Sequence, residues 1–185
     1  MTFARRPPRE APPDVDERGP EADHEAVGRK ILLDQLTGQA RSRSELAAKL
    51  AAKHVPHDVA TGLLDRFEEV GLVDDAAFAR DWAQSRHVSR GLARRALGME
   101  LRRKGVDSET VEEALTQVSS DSERETARGL VRRKLRSLGN LDDAVKVRRL
   151  VGMLARKGYS PGMAYEVVRD ELADADLPEV DAFGG

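Results

Sequence analysis

The amino-acid sequence predicts an all-α chain of three tandem three-helix repeats, each helix-turn-helix-like, and three observations carry that prediction. First, one phrase occurs three times: LAAKHVPHDVATGLL from Leu50 to Leu64, LRRKGVDSETVEEAL from Leu101 to Leu115, and LARKGYSPGMAYEVV from Leu154 to Val168. Second, a lysine in each phrase (Lys53, Lys104, Lys157) precedes His54, Gly105 or Gly158. There the backbone must turn left-handed as a helix ends, which glycine does without strain and histidine tolerates. Third, no stretch alternates β-branched and polar residues, so no sheet is expected. Helices of about 15 residues are ~22 Å long, and repeats that touch mainly their neighbours stack into an elongated, curved body.

The elements follow in order. Residues 1–24 contain RRPPREAPPDVDERGPEADH, a proline-rich, mixed-charge run with little to bury, and read as a disordered leader. The first repeat spans 25–72, with helices near 25–38, 43–53 and 57–70, and Ser42 and Glu45 have capping-box spacing for the second. The second repeat spans 73–118. Asp74 caps its first helix, on which Phe78 and Trp82 lie one turn apart on an inward face. Its second helix ends at Lys104, and its third, capped by Asp107, runs from about Ser108 to Val118. The third repeat spans 119–173 and opens on Ser120 and Glu123, again at capping-box spacing. Its last helix has Ser160 as N-cap and Pro161 at the first helical position. Residues 174–185 read as an acidic disordered tail.

Composition narrows the function classes. The chain has 185 residues, 39% apolar and 4% aromatic, and no cysteine. That suits small helical modules rather than one large core, and it excludes disulfide frameworks and thiolate sites. No apolar run is long enough to span a membrane and the first ten residues lack a signal peptide's apolar stretch, so a cytoplasmic location is expected. The net charge is only −2, but it is unevenly spread. Between Arg86 and Lys157 there are eighteen Lys and Arg against ten Asp and Glu.

The basic middle supplies the candidate binding surface. On a helical wheel Ala93, Leu97 and Leu101 form a buried stripe, with Arg95 and Arg102 on a distant face and Arg94 flanking the stripe. In the third repeat Ala127, Val131, Leu135 and Leu138 point inward and leave Arg128, Arg132 and Arg136 as a ladder of like charges, which repel. Only Glu125 offers local compensation, and Arg132, Arg133, Lys134 and Arg136 stand in a run with no acid, which suggests an anionic partner. Arg148 and Arg156 recur at the positions of Arg95 and Arg103. Arg86, Arg90, Arg103, Lys104, Arg149 and Lys157 complete the set. Solvated helix faces are the ordinary explanation of such charge runs, but recurrence at equivalent positions favours a binding surface. The few aromatic residues, Phe78, Trp82, Tyr159 and Tyr165 among them, fall at core or hinge positions. Stacking on single-stranded bases is therefore not expected, and any nucleic-acid contact would be phosphate-directed and salt-sensitive.

Catalytic chemistry is not indicated. His54 and His57 have a spacing that a metal could bridge, but His54 has a turn role and no carboxylate or cysteine completes a set. The acidic pairs lie at helix ends or turns, where helix-dipole and solvation effects account for them. No GxxxxGK[ST] or GxGxxG loop occurs. The expectation is a binding protein, not an enzyme, without cofactor or metal.

GLVDDAAFARDWAQSR (Gly71 to Arg86), the Ser89 to Gly91 step, LRRKGV (Leu101 to Val106) and LARKGYS (Leu154 to Ser160) occur together in an order and spacing that resembles the RecX family, regulators of the RecA recombinase. The likeness covers about residues 25–172. It implies an elongated arch of three-helix repeats. It also implies a protein that binds RecA and its nucleoprotein filament; a monomer is expected, and any contact with DNA is expected to be weak and salt-sensitive. Filament growth, ATP hydrolysis, strand exchange and coprotease activity would be inhibited. Gly71, Leu72, Asp74, Phe78 and Ala79 match the family best, but their physical roles are those of a turn, a cap and a packed helix. The alternative is a helix-turn-helix regulator that reads DNA sequence, which would want its cations concentrated on one recognition helix.

Overall fold

The computed structural model describes residues 23–175; the expected leader, apart from its last two residues, and the tail beyond Ala175 lie outside them. Every regular element among the described residues is helical. The helices are α1 (His24–Leu36), α2 (Arg43–Ala51), α3 (His57–Glu69), α4 (Asp75–Arg90), α5 (Arg94–Arg103), α6 (Ser108–Leu115), α7 (Ser120–Leu135), α8 (Asp143–Arg156) and α9 (Pro161–Ala175). The described chain forms two compact units: residues up to Phe78 with Lys104–Val106, and Ala79–Arg103 with Asp107 onward.

The first unit is built on Val27, Ile31 and Leu32 of α1, Leu46 and Leu50 of α2, and Leu63, Leu64 and Phe67 of α3, all buried. Helix α2 starts with the expected reciprocal cap: the Ser42 hydroxyl accepts from the Glu45 N–H, and the Glu45 carboxylate accepts from the Ser42 N–H. It stops in a left-handed residue, His54, at φ 59°. The His54 N–H reaches the Ala51 carbonyl and the Val55 N–H reaches that of Leu50, the paired bonds that satisfy carbonyls at a helix end. The turn after α5 belongs to this unit. Gly105, at φ 77°, lies so close to Ser44 that a Cβ would collide with its side chain. The Ser42 hydroxyl also donates to the Lys104 carbonyl at 2.6 Å.

The second unit repeats this construction. Ala93, Leu97 and Leu101 are fully buried, as the wheel requires, and Ala127, Val131, Leu150, Leu154, Tyr159, Val167 and Val168 share one core with Ala93. Gly158, at φ 92°, has the place of Gly105; a Cβ there would come within 2.6 Å of the Ala96 nitrogen. Two of the three left-handed positions therefore carry a second constraint, close approach to the helix start of the preceding repeat. His54 has no preceding repeat in the described chain and is exposed, and there the histidine is accommodated.

Helix starts are also completed across repeats. The N–H of Arg43, first in α2, donates to Asp75 of α4 at 2.7 Å. The N–H of Arg94, first in α5, donates to Glu123 of α7, also at 2.7 Å. This corrects the expected capping box at Ser120: the cap of α7 is Ser119, whose side chain accepts from the Ser122 N–H, and Glu123 serves α5 instead. Two aromatic expectations change as well. Trp82 is half-buried, with its indole N–H on Glu100 at 2.9 Å and the Arg86 guanidinium 4.2 Å above its ring. Tyr165 is 57% exposed, because α9 turns Ala164, Val167 and Val168 inward instead.

Candidate functional site

Burial of Ala93, Leu97 and Leu101 forces the opposite face of α5 outward, and Arg95, Met99 and Arg103 lie on it at intervals of four residues. The last turn of α8 brings Arg156 to the same place. Arg95, Met99, Arg103 and Arg156 line one groove of about 240 Å³ with Leu92, Ala96, Glu100, Ala155 and Gly158. The side-chain N–H of Arg103 donates back to the Met99 carbonyl at 3.3 Å. Arg103 and Arg156 each end a helix, where the dipole favours a cation. Among the described residues no carboxylate pairs with Arg95, Arg103 or Arg156. Glu100, the acid in the groove, is held by the Trp82 indole and by Arg86, 3.9 Å away.

A second cationic cluster surrounds Lys157, whose ammonium donates to the Arg90 carbonyl at 2.5 Å. Partial burial, then the charges of Arg133 and Arg90, hold this lysine below the ordinary range. The fold thus keeps three like charges together here. Arg94, Arg95, Arg102, Arg133, Lys134, Arg136, Arg148 and Arg149 are exposed. Arg102, however, lies on the α6 side of α5, over Gly98 and away from the groove.

Other expected site residues have partners within the chain. The Lys104 ammonium donates to Glu45 at 2.7 Å and lies 5.5 Å from the Phe78 ring, so it ties the turn after α5 to α2. Arg86 packs on Trp82. Two rungs of the arginine ladder of α7, Arg128 and Arg132, are compensated, contrary to the sequence expectation, by an acid distant in sequence. Glu171 of α9, only 3% exposed, accepts from Arg132 at 2.6 and 3.0 Å and lies 3.9 Å from Arg128. Hydrogen bonding to Glu171 and its charge raise the Arg132 pKa. Glu166 pairs with Arg124 one turn earlier.

Three models of the same family match this chain in order: RecX first three-helix domain over residues 29–67, second three-helix domain over 74–115, and third three-helix domain over 121–168. The chain belongs to the RecX family. Relatives named "Regulatory protein RecX" include one from Streptomyces coelicolor, 51% identical over 84% of this chain and 82% of its own. Another, from Thermobifida fusca, is also 51% identical, over 84% of each chain. Two crystal structures share the fold. RecX from Lactobacillus salivarius has a TM-score of 0.73 at 20% identity, over 85% of this chain and 99% of its own. A second structure, titled regulatory protein RecX, has a TM-score of 0.71 at 26% identity, over 80% of this chain and 73% of its own. In this RecX-family chain the groove draws Arg95, Met99 and Arg103 from the second three-helix domain and Arg156 from the third.

Sequence reasoning missed three residues that shape this region. Met99, 53% exposed, was signalled by its place midway between Arg95 and Arg103. Glu171 gave no local signal. His87 is 5% exposed; one ring nitrogen is 2.9 Å from the Leu92 carbonyl and the other 2.9 Å from the Ser122 hydroxyl. It fixes the segment that leads into α5. No helix among the described residues is long and apolar enough to cross a membrane.

Proposed function

We propose that this chain is a non-enzymatic, monomeric regulator of RecA in the cytoplasm. It binds RecA and RecA–DNA filaments and inhibits filament growth, ATP hydrolysis, strand exchange and coprotease activity. The observation that carries the reading is the groove of α5 and α8, where three arginines without a carboxylate partner converge in a member of a family of regulatory proteins. A protein that acts by binding needs such a surface and no reactive group. The energetic requirement is modest: hydrogen bonds to charged groups contribute about 1.5–3 kcal/mol each, so a few arginines suffice to hold an anionic partner. Cations spread over two helices also speak against a sequence reader, which concentrates its contacts on one recognition helix.

ATP hydrolysis by RecA on single-stranded DNA tests the reading. The chain added below one molecule per RecA should inhibit hydrolysis, and the variant with Arg95, Arg103 and Arg156 all changed to Ala should inhibit far less while retaining wild-type helix content. Undiminished hydrolysis at equimolar wild-type chain would sink the proposal. A gel-shift series separates the alternative: DNA contact by a filament regulator is sequence-independent and salt-labile, whereas a DNA-binding regulator prefers one duplex and keeps that preference at higher salt.

A further inference from the structure

The groove holds more than charge. Arg95, Met99 and Arg103 alternate cation, thioether, cation along α5, and the floor beside them is Leu92 and Ala96, with Arg156 closing the far side. We infer that this groove binds an acidic protein segment carrying an apolar anchor side chain, which packs on Met99 while its flanking carboxylates meet Arg95, Arg103 and Arg156. The inference rests on the regulatory reading only for its biological purpose; the ligand class follows from the groove itself.

Two observations select this ligand over a phosphate backbone. Phosphate gains nothing from an exposed thioether, whereas methionine is the adaptable apolar residue of surfaces that accept varied side chains. No aromatic residue lines the groove, so bases have nothing to stack on; the nearby Trp82 ring is already covered by Arg86. Glu100, which opposes peptide and phosphate anions alike, accepts the Trp82 indole N–H and has the Arg86 guanidinium 3.9 Å away. Eight residues of helix separate Arg95 from Arg103, about 12 Å, room for one anchor between two acidic positions.

The probe is a fluorescein-labelled synthetic peptide in which runs of Asp and Glu flank one Phe and one Leu, with a charge-matched control in which both apolar residues are Ser. Fluorescence anisotropy with the full chain should show the Phe/Leu peptide bound about tenfold more tightly than its Ser control, the effect of burying a modest apolar area. Met99→Ser should abolish that difference without weakening the Ser control. Arg103→Gln and Arg156→Gln should weaken both peptides. An oligothymidylate should compete with the Ser control at least as well as with the Phe/Leu peptide. Equal binding of the two peptides, or a Met99→Ser variant that keeps the difference, would overturn the inference in favour of a purely electrostatic site. No binding of either peptide overturns it in favour of a solvated surface. RecA hydrolysis measured on the same preparations separates the two readings. Inhibition without peptide binding removes only the groove assignment, and peptide binding without inhibition removes only the regulation of RecA.

Discussion

Replacing Gly158 with Ala isolates the double constraint at the repeat junction. A left-handed backbone costs a non-glycine residue about 1–2 kcal/mol. The lower conformational entropy of alanine in the unfolded chain returns roughly 0.4–1 kcal/mol. The larger contribution is steric, because the new methyl would lie 2.6 Å from the Ala96 nitrogen and 2.7 Å from its Cβ, and a backbone atom at a helix start cannot swing aside as a side chain can. Relieving such overpacking typically costs about 1–3 kcal/mol. The expected net loss is therefore about 1–5 kcal/mol. His54→Ala, at the equivalent position of the first repeat, exchanges one non-glycine residue for another at an exposed site, and should change stability by less than about 1 kcal/mol. Urea unfolding followed by Trp82 fluorescence reads Gly158→Ala directly, since the chain's one tryptophan is in the same unit; His54→Ala is read by circular dichroism. A Gly158→Ala variant within about 0.5 kcal/mol of wild type would refute the close-approach argument.

Three further outcomes are expected. Trp82→Ala should destabilise its unit by about 1–3 kcal/mol, less than the roughly 3–5 kcal/mol of a fully buried aromatic, because half-burial limits the loss; urea unfolding followed by circular dichroism measures it. Burial tends to raise the Glu45 pKa, but the Lys104 hydrogen bond, the Ser42 N–H and the charges of Lys104 and Arg41 outweigh it and hold the carboxyl below the ordinary value. Glu45 thus stabilises above the ordinary glutamate pKa of about 4.3, and this is lost as pH falls through the lower folded value. Glu45→Gln should be less stable than wild type in thermal melts at neutral pH, and the gap should close on acidification; a gap independent of pH would contradict this. Arg132→Glu should lower the melting temperature by setting a second carboxylate against buried Glu171, while Arg133→Glu, on an exposed position, should not.

The local grammar of this fold was legible. The left-handed residues after the three lysines, the Ser42–Glu45 box, the Asp107 cap and the buried stripe of α5 all depend on residues within one or two turns of each other, where spacing alone decides. What escaped depends on partners far along the chain. Glu123 has the right spacing to cap its own helix, yet it serves α5, 29 residues earlier. A helical wheel puts Arg132 outside and cannot show that Glu171 waits there, 39 residues on. The same limit explains Trp82: its inward side was read correctly, but the Arg86 and Glu100 that cover the rest became visible only once α4 and α5 were packed. For the groove, Arg95, Arg103 and Arg156 were marked by their recurrence, whereas the wheel put Arg102 on the face of Arg95, and packing turns its side chain over Gly98 toward α6 instead.

The caps that pass between repeats give the chain a direction. Asp75 takes the first N–H of α2 and Glu123 the first N–H of α5, so the middle helices of the first two repeats are each finished by a carboxylate later in the chain. Helix α8 takes its cap from Asp142, immediately before it, as α2 also does from Ser42. The first N–H of α2 and of α5 is thus satisfied only once the first turn of the next repeat is in place. Loss of a later repeat would therefore leave a helix-start N–H of the one before without its carboxylate, whereas loss of the first would strip the Lys104 carbonyl at the end of α5 of its bond from Ser42, so helix starts depend on the repeat that follows and helix ends on the repeat before.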